Sequence, residues 1–567
     1  MPVLDIKLSR IIQLLGQKIS VDELEEILFR MGFEIESKEE KNGEIFLKIE
    51  ITPDRPDMLS SYGFVRALKK YMLLSPGLDK YPLKYNPKYK IYVDKSVAEV
   101  RPYIAATVVK GVKISEDDLD DLIYAQEKLH ETFCRGRKKA SIGLYPLKKI
   151  KWPLRYYAEK PENIRFRPLG FDVIMDAREI LEKHPKGIAY RHLLEKFDIY
   201  PVFVEGGGNV LSLPPIINSE DYGKVEVGEE EILIEVTGTH KPTVEIVINI
   251  MASIFAEMGG ELYSVEIVYP THKERSPYLE PKIWETTVDY INSVLGLNLQ
   301  AEEIKKLLNK MGLDAEIHGT NLRVYVPGYR ADIWHPIDIA DDVGRAYGYD
   351  NFEPELTPVF TTGGTVEKTD IVDMIRELLI GLGYLEAFTF ALTNKEDQYS
   401  KMLLDPQPSV EILGAKESKI NIERTWLLPE LLKTLSYNKE TSFPVKLFEV
   451  SDVIKLNEAS DVKAENETKL AMLIASASAD YTQIRRELEF VLQSLGFNSI
   501  KFERTEHPSF IRGRVAKITV NNKGIGIIGE LHPQVILNWG LSIPIAAAEI
   551  SISKLYEWKY NPVEVAP

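Results

Sequence analysis

Residues 21–37, VDELEEILFRMGFEIES, read as an amphipathic helix closed by Met31-Gly32 and followed by a strand-like segment. Ser20 with Glu23 has the pattern of a capping box, and Gly32 can take the left-handed conformation that ends the helix. The same order returns at 301–317, AEEIKKLLNKMGLDAEI, closed by Met311-Gly312. Alternation of Leu47, Ile49 and Ile51 predicts a strand, and Arg55-Pro56-Asp57 follows it. The counterpart is Leu322, Val324 and Val326, followed by Arg330-Ala331-Asp332. Helix, strand, strand, Arg-x-Asp and a further helix thus occur twice. Two copies of one small α+β module bracket something else.

The stretch between them, 86–265, mixes helical segments such as 115–132 with alternating strands such as Ile232-Leu233-Ile234-Glu235-Val236. Gly206-Gly207-Gly208 reads as a turn between strands, because no lysine-serine pair follows it to complete a phosphate loop. A helix over 242–258 stops at Gly259-Gly260. Polar, proline-bearing sequence at 266–280 reads as a linker, and Pro354 to Gly364 marks a second break before a C-terminal α+β domain. The opening MPVLDIKLSRIIQLLG, with Asp5 and Arg10 inside its apolar pattern, reads as an amphipathic helix of the mature protein.

Length changes this picture little: 567 residues suit about three to five domains. Hydrophobic residues at 44% and charged residues at 28% are ordinary for a globular chain and exclude a disordered one. No apolar run of roughly 20 residues is present, which excludes a membrane-spanning helix. Cys134 is the single cysteine, so neither a disulfide framework nor a cysteine-based zinc cluster can form. A reduced, cytoplasmic setting is the expectation. The net charge of −16 averages over a basic stretch from Lys128 to Arg155, where Arg135, Arg137, Lys138 and Lys139 cluster and Glu131 is the one acid. It is either a solvated surface or a contact for an RNA backbone.

The densest candidate chemistry lies at 330–352, RADIWHPIDIADDVGRAYGYDNF. Pro336 fits a first helical position, which sets Asp338, Asp341 and Asp342 at i, i+3 and i+4, with Asp332 just before the helix. An all-oxygen set of this kind suits Mg²⁺ or Ca²⁺. Acids in the first turns of a helix also simply complement its dipole. The first module keeps Asp57 but carries Gly63 and Arg66 where the helix acids would fall, so any metal belongs to the second copy. A Walker-type loop, an H-E-x-x-H helix and a serine elbow are missing, and no histidine pair has metal-ligand spacing.

Taken together, these segments resemble the beta subunit of phenylalanine–tRNA ligase in its archaeal and eukaryotic form, over essentially the whole length. Met31 to Glu36 with Thr52-Pro53-Asp54-Arg55-Pro56-Asp57 is similar to the family's opening module, and Pro214 to Ser219 with Glu235-Val236-Thr237-Gly238-Thr239 to its editing domain. Arg330 to Phe352 resembles its metal-holding module, and Gly529-Glu530-Leu531-His532-Pro533 the signature of its last domain. Bacterial relatives are longer, and usually carry glutamates where Asp341 and Asp342 stand here.

The resemblance implies a multidomain α+β fold with two similar modules at 1–83 and 275–355 flanking an editing, tRNA-binding domain at 86–265. A catalytic-like class II synthetase domain with an antiparallel sheet would fill 360–567. It implies an α2β2 tetramer in which phenylalanine is activated with ATP on the alpha subunit. Residues 360–567 agree, since they contain neither F-R-x-E nor G-x-G-x-G-x-x-R to grip ATP, and Arg424 to Pro429 would be scaffold.

The resemblance also places an editing site for tyrosyl-tRNA at Phe203, Ser212, Glu235 and Thr237, with Glu235 accepting the tyrosine hydroxyl and positioned water as the nucleophile. It implies Mg²⁺ at Asp332, Asp338, Asp341 and Asp342, and tRNA as the partner of the basic stretch. No histidine base is evident. A free-standing tRNA deacylase and a tRNA-binding scaffold are the alternatives.

Overall fold

The computed structural model describes residues 2–357, 359–415 and 419–556. They form two compact units, Met1–Glu355 and Leu356–Pro567. No helix among the described residues is long and apolar enough to cross a membrane.

In the first unit the repeat is real at the level of topology. Strand Val3–Lys7, helices Leu8–Leu15 and Val21–Met31, strands Glu34–Lys41 and Glu44–Glu50, and helix Ser61–Tyr71 follow in that order. Strand Lys282–Thr287, helices Val288–Leu295 and Ala301–Lys310, strands Asp314–His318 and Asn321–Val326, and helix Pro336–Tyr347 repeat it. Both three-stranded antiparallel sheets have their third strand in the middle. The alternating residues Leu47, Ile49 and Ile51, and Leu322, Val324 and Val326, are buried beneath the helices. The Ser20–Glu23 capping box is formed, and Gly32 takes φ 84°. The opening segment departs from expectation. Val3–Lys7 is a strand, because five residues paired with Phe46–Glu50 bury Leu4 and Ile6 on one face, and the helix starts only at Leu8.

A ten-stranded mixed sheet lies between the modules. Its far strands are Ile217–Asn218 at one end and Ala140–Pro146 at the other, and Glu231–Gly238 lies next to the latter. Helix Lys241–Glu257, apolar on nearly all sides, covers one face. Helix Glu116–Glu131 buries Leu122, Ala125 and Leu129 in the same core as Ile142 and Leu144. The stretch read as a linker belongs to this sheet: Lys273–Ser276 pairs with Glu261–Val268 as an edge strand. Ser276 then fastens it inward, its Oγ bonding both N and O of Ala106. The triple glycine is the turn between Tyr200–Val204 and Val210–Leu213.

The second unit is a seven-stranded sheet, antiparallel apart from the short edge strand Leu385–Glu386. Leu470, Met472 and Ile474 pack under helices Glu367–Gly381 and Tyr481–Ser494, while Ala471, Leu473 and Ala475 face helices Leu428–Tyr437 and Pro533–Asn538. Period-two alternation that is apolar on both sides is what a sheet covered on both faces requires.

Candidate functional site

Strand Glu231–Gly238 pairs with Ala140–Pro146 so that Glu235 stands opposite Gly143, Leu233 opposite Tyr145, and Thr237 opposite Ser141. These residues share one face of the sheet. Having no side chain, Gly143 leaves the gap in which the Tyr145 hydroxyl reaches diagonally to Glu235. A Cβ at position 143 would come within 2.4 Å of both Glu235 Oε2 and Tyr145 Oη. The sheet curls until Ser212, from the strand beside its far edge, meets the same group. Tyr145 Oη lies 2.8 Å from Glu235 Oε2 and 2.8 Å from Ser212 Oγ. Tyrosine has one hydroxyl proton, so when the carboxylate takes it the serine donates to Tyr145. The second carboxylate oxygen, Glu235 Oε1, is buried and makes no hydrogen bond at ordinary distance, with the Thr237 hydroxyl near enough to favour the ionised carboxylate.

Glu235, Ser212 and Ser141 line a cavity of about 380 Å³ whose wall also includes Pro214 to Asn218, and Leu119, Ile123, Gln126, Glu127 and His130 from one stripe of helix Glu116–Glu131. Burial pushes the Glu235 carboxyl up to about 7, against the Tyr145 hydrogen bond, the Arg101 charge and the Thr237 hydroxyl, which favour its ionised form. His130 accepts the Ile142 N–H at Nε2, 2.8 Å away, which fixes its proton on Nδ1. Burial, together with Arg137, Arg101 and Lys186, keeps that ring neutral. A buried, neutral histidine therefore lines the cavity, where the sequence had shown no histidine of interest.

Of the four residues named for this site, Ser212 and Glu235 line the cavity wall. Phe203 lies behind Tyr145 in the core, ring centroids 5.9 Å apart. Thr237 is turned toward Arg101, whose Nε donates to its Oγ1 at 3.0 Å. The basic stretch is split. Arg135 and Lys138 are exposed and Lys139 is half-buried. Arg137 is not a surface cation: it is buried, pairs with Glu127 at 2.9 Å, donates to the Pro215 and Ile216 carbonyls and stacks on Tyr190. Counting charges along the chain could not show this, because a guanidinium three atoms from a turn can point either way.

The four aspartates proposed as cation ligands are dispersed. Arg330 takes both oxygens of Asp332, at 2.7 and 2.6 Å, and Oδ2 of Asp342 at 2.8 Å. Asp338 caps its own helix, accepting the N–H groups of Trp334 and His335. Asp341 points outward to Arg345 and Tyr349. Consecutive residues on a helix diverge by 100°, and here Asp341 turns to the surface while Asp342 turns inward. Among the described residues no three acidic, histidine or cysteine side chains gather around a cation position. The four residues expected to hold Mg²⁺ therefore do not form one donor set here, since Arg330 takes Asp332 and Asp342 while Asp338 and Asp341 bond elsewhere.

The partner of that guanidinium is the other copy of the motif. Arg55 holds Asp57 by two hydrogen bonds at 2.9 and 3.0 Å, as Arg330 holds Asp332. Arg66 lies 3.6 Å from Asp57 and stacks on Tyr329 of the second module, 3.7 Å from its ring centre. Arg55 feels Arg330 and Asp332, and Asp342 feels Arg55. The modules therefore meet at one buried cluster in which three arginines face three aspartates.

Comparison with known proteins assigns the parts. Residues 1–72 match the family described as the Phe-tRNA synthetase beta subunit B1 domain, 284–349 the tRNA synthetase B5 domain, and 354–552 the phenylalanyl tRNA synthetase beta chain CLM domain. The phenylalanine–tRNA ligase beta subunit of Pyrococcus horikoshii is 39% identical over 98% of this chain and 100% of its own length. That of Archaeoglobus fulgidus is 40% identical over 93% of this chain and 94% of its own. A crystal structure of an N-terminal fragment of the Pyrococcus horikoshii beta subunit covers 61% of this chain at 38% identity, with a TM-score of 0.60. The chain belongs to the phenylalanine–tRNA ligase beta subunit family.

Proposed function

We propose that this chain is the editing subunit of a phenylalanine–tRNA ligase. It assembles with an alpha subunit as an α2β2 tetramer, in which phenylalanine is activated with ATP on the alpha subunit and mischarged tyrosyl-tRNA is hydrolysed in the Glu235 cavity. The functional parts are then 1–83 and 275–355 as paired modules, 86–265 as the hydrolytic domain and 360–567 as a catalytic-like domain used for assembly. Magnesium enters as the ion that neutralises ATP phosphates on the alpha subunit. Exposed Arg135 and Lys138, with Lys139, supply an approach for the tRNA backbone.

The carrying observation is Glu235 Oε1, a buried acceptor with no hydrogen bond at ordinary distance beside a chain of hydroxyls. Tyrosine differs from phenylalanine by one hydroxyl, and an apolar pocket separates such a pair by only ~10²-fold. A buried carboxylate that must be paired does far better, because phenylalanine would leave it unsatisfied. Hydrolysis itself needs a positioned water. Its oxygen adds to the ester carbon, the bond from that carbon to the ribose oxygen breaks, and a water proton ends on that ribose oxygen.

The test is Glu235→Ala in the reconstituted tetramer. Clearance of tyrosyl-tRNA is expected to fall at least about 100-fold, the scale of one lost discriminating contact, with phenylalanine charging intact. Unchanged clearance would remove Glu235 from the reaction.

A further inference from the structure

Behind the cavity sits a cation that this reaction does not yet use. Arg101, just ahead of strand Tyr103–Lys110, is 3% exposed. Its hydrogen bonds all go to neutral oxygens: Thr237 Oγ1 at 3.0 Å, the Thr237 carbonyl at 2.7 Å, Ser141 Oγ at 3.0 Å, and the Arg137 and Lys138 carbonyls at 3.3 and 3.5 Å. A guanidinium withdrawn from water without a carboxylate against it is costly, and such an arrangement persists where the charge serves something nearby. The carboxylate that feels it is Glu235. Thr237 and Glu235 are two residues apart on one face of a strand, about 7 Å along it.

We propose that Arg101 is a positioning residue of the hydrolytic site: its planar fork fixes Thr237 and Ser141 beside Glu235, and its buried charge favours the ionised form of that carboxyl. This rests on the editing reading of the Glu235 cavity. The other groups around Glu235 cannot do the same. Tyr145 and Tyr156 are buried and neutral, with hydroxyls pushed far above their ordinary range by burial. His130 is neutral, and Ser212 carries no charge. Arg137 and Lys186 are both drawn to Glu127, at 2.9 and 3.2 Å, and neither is among the charges that act most strongly on Glu235. Arg101 is the cation that acts on Glu235, and no carboxylate hydrogen-bonds to it.

Two variants separate charge from shape. Arg101→Gln keeps a donor toward Thr237 and removes the charge, and Arg101→Lys keeps the charge and removes the fork. The carboxyl band of Glu235 is followed by infrared difference titration of the full chain, assigned by its loss in Glu235→Gln. Its midpoint is expected to rise by about one unit or more in Arg101→Gln, a tenfold or greater gain in proton affinity, and to stay put in Arg101→Lys. The pH profile of tyrosyl-tRNA hydrolysis by the tetramer is expected to move in parallel for Arg101→Gln. For Arg101→Lys it should drop in height at an unchanged midpoint. An unmoved midpoint in folded Arg101→Gln, judged by intact phenylalanine charging, overturns the proposal. Should that variant fail to fold, Arg101→Met supplies the same neutral test. The titration needs no tRNA, so it reports on Arg101 even if Glu235→Ala shows that editing occurs elsewhere.

Discussion

Gly143 holds open the space through which Tyr145 reaches Glu235. Adding a methyl group there puts carbon into the space shared by Glu235 and Tyr145. Gly143→Ala is expected to cut tyrosyl-tRNA hydrolysis by about 10²-fold, the scale of losing one oriented hydrogen-bond donor. Phenylalanine charging should be unaffected, and a deacylation assay decides the point. Glu235 also leaves a mark on stability. Its carboxyl ionises near 4.5 when exposed and at about 7 when buried, so the unfolded chain releases this proton first as pH rises. Between those values the folded state loses about 3 kcal/mol relative to a Glu235→Gln chain, and the difference is constant above pH 7. Paired urea titrations across pH 4.5–7 measure it, and parallel curves would show that Glu235 is not buried as described. Resemblance made Glu235 and Ser212 legible in the sequence. Tyr145, Gly143, His130 and Arg101 were not, because what joins them is the register of strands 90 residues apart and the curl of a sheet.

At the scale of elements, the duplicated Arg-x-Asp motif is visible in the sequence as a repeat, but the partners its charges find are not. Spacing put acids near one another on a helix, while folding put the arginine of the same motif among them. Asp57 feels Arg55, Arg66 and Arg330, and Asp342 feels Arg330 and Arg55, so the buried charges are shared across the two modules. Asp342→Asn is expected to destabilise the first unit by about 3–5 kcal/mol, the cost of leaving a buried charge unmatched. Asp341→Asn, which removes a surface i,i+4 pair with Arg345, should cost about 0.5 kcal/mol or less. A chelator should leave the melting temperature of the chain within about 1 °C, whereas a fold held by a metal would unfold. Edge elements were the other blind spot. Lys273–Ser276 looked like a linker because an edge strand with one solvated side carries the same polar residues.

For the whole molecule, the helix, two strands and further helix shared by both modules are visible in hydrophobic periodicity, whereas the strand that opens each module is not, and the two compact units part at Glu355. What an isolated chain could not reveal is chemistry supplied by a partner. Because 360–567 lacks the residues that grip ATP, the purified chain is expected to show no phenylalanine-dependent pyrophosphate exchange until the alpha subunit is added. Exchange by the chain alone would relocate the synthetic site. The central claim is narrower: the phenol of a mischarged tyrosine is read by the free oxygen of Glu235. A crystal structure of the chain with an amide-linked, non-hydrolysable tyrosyl-adenosine tests it directly. The account predicts the phenol oxygen within hydrogen-bonding distance of Glu235 Oε1, with Tyr145 still on Oε2; a tyrosyl group bound elsewhere, or seated in the cavity with Oε1 unpaired, would contradict it.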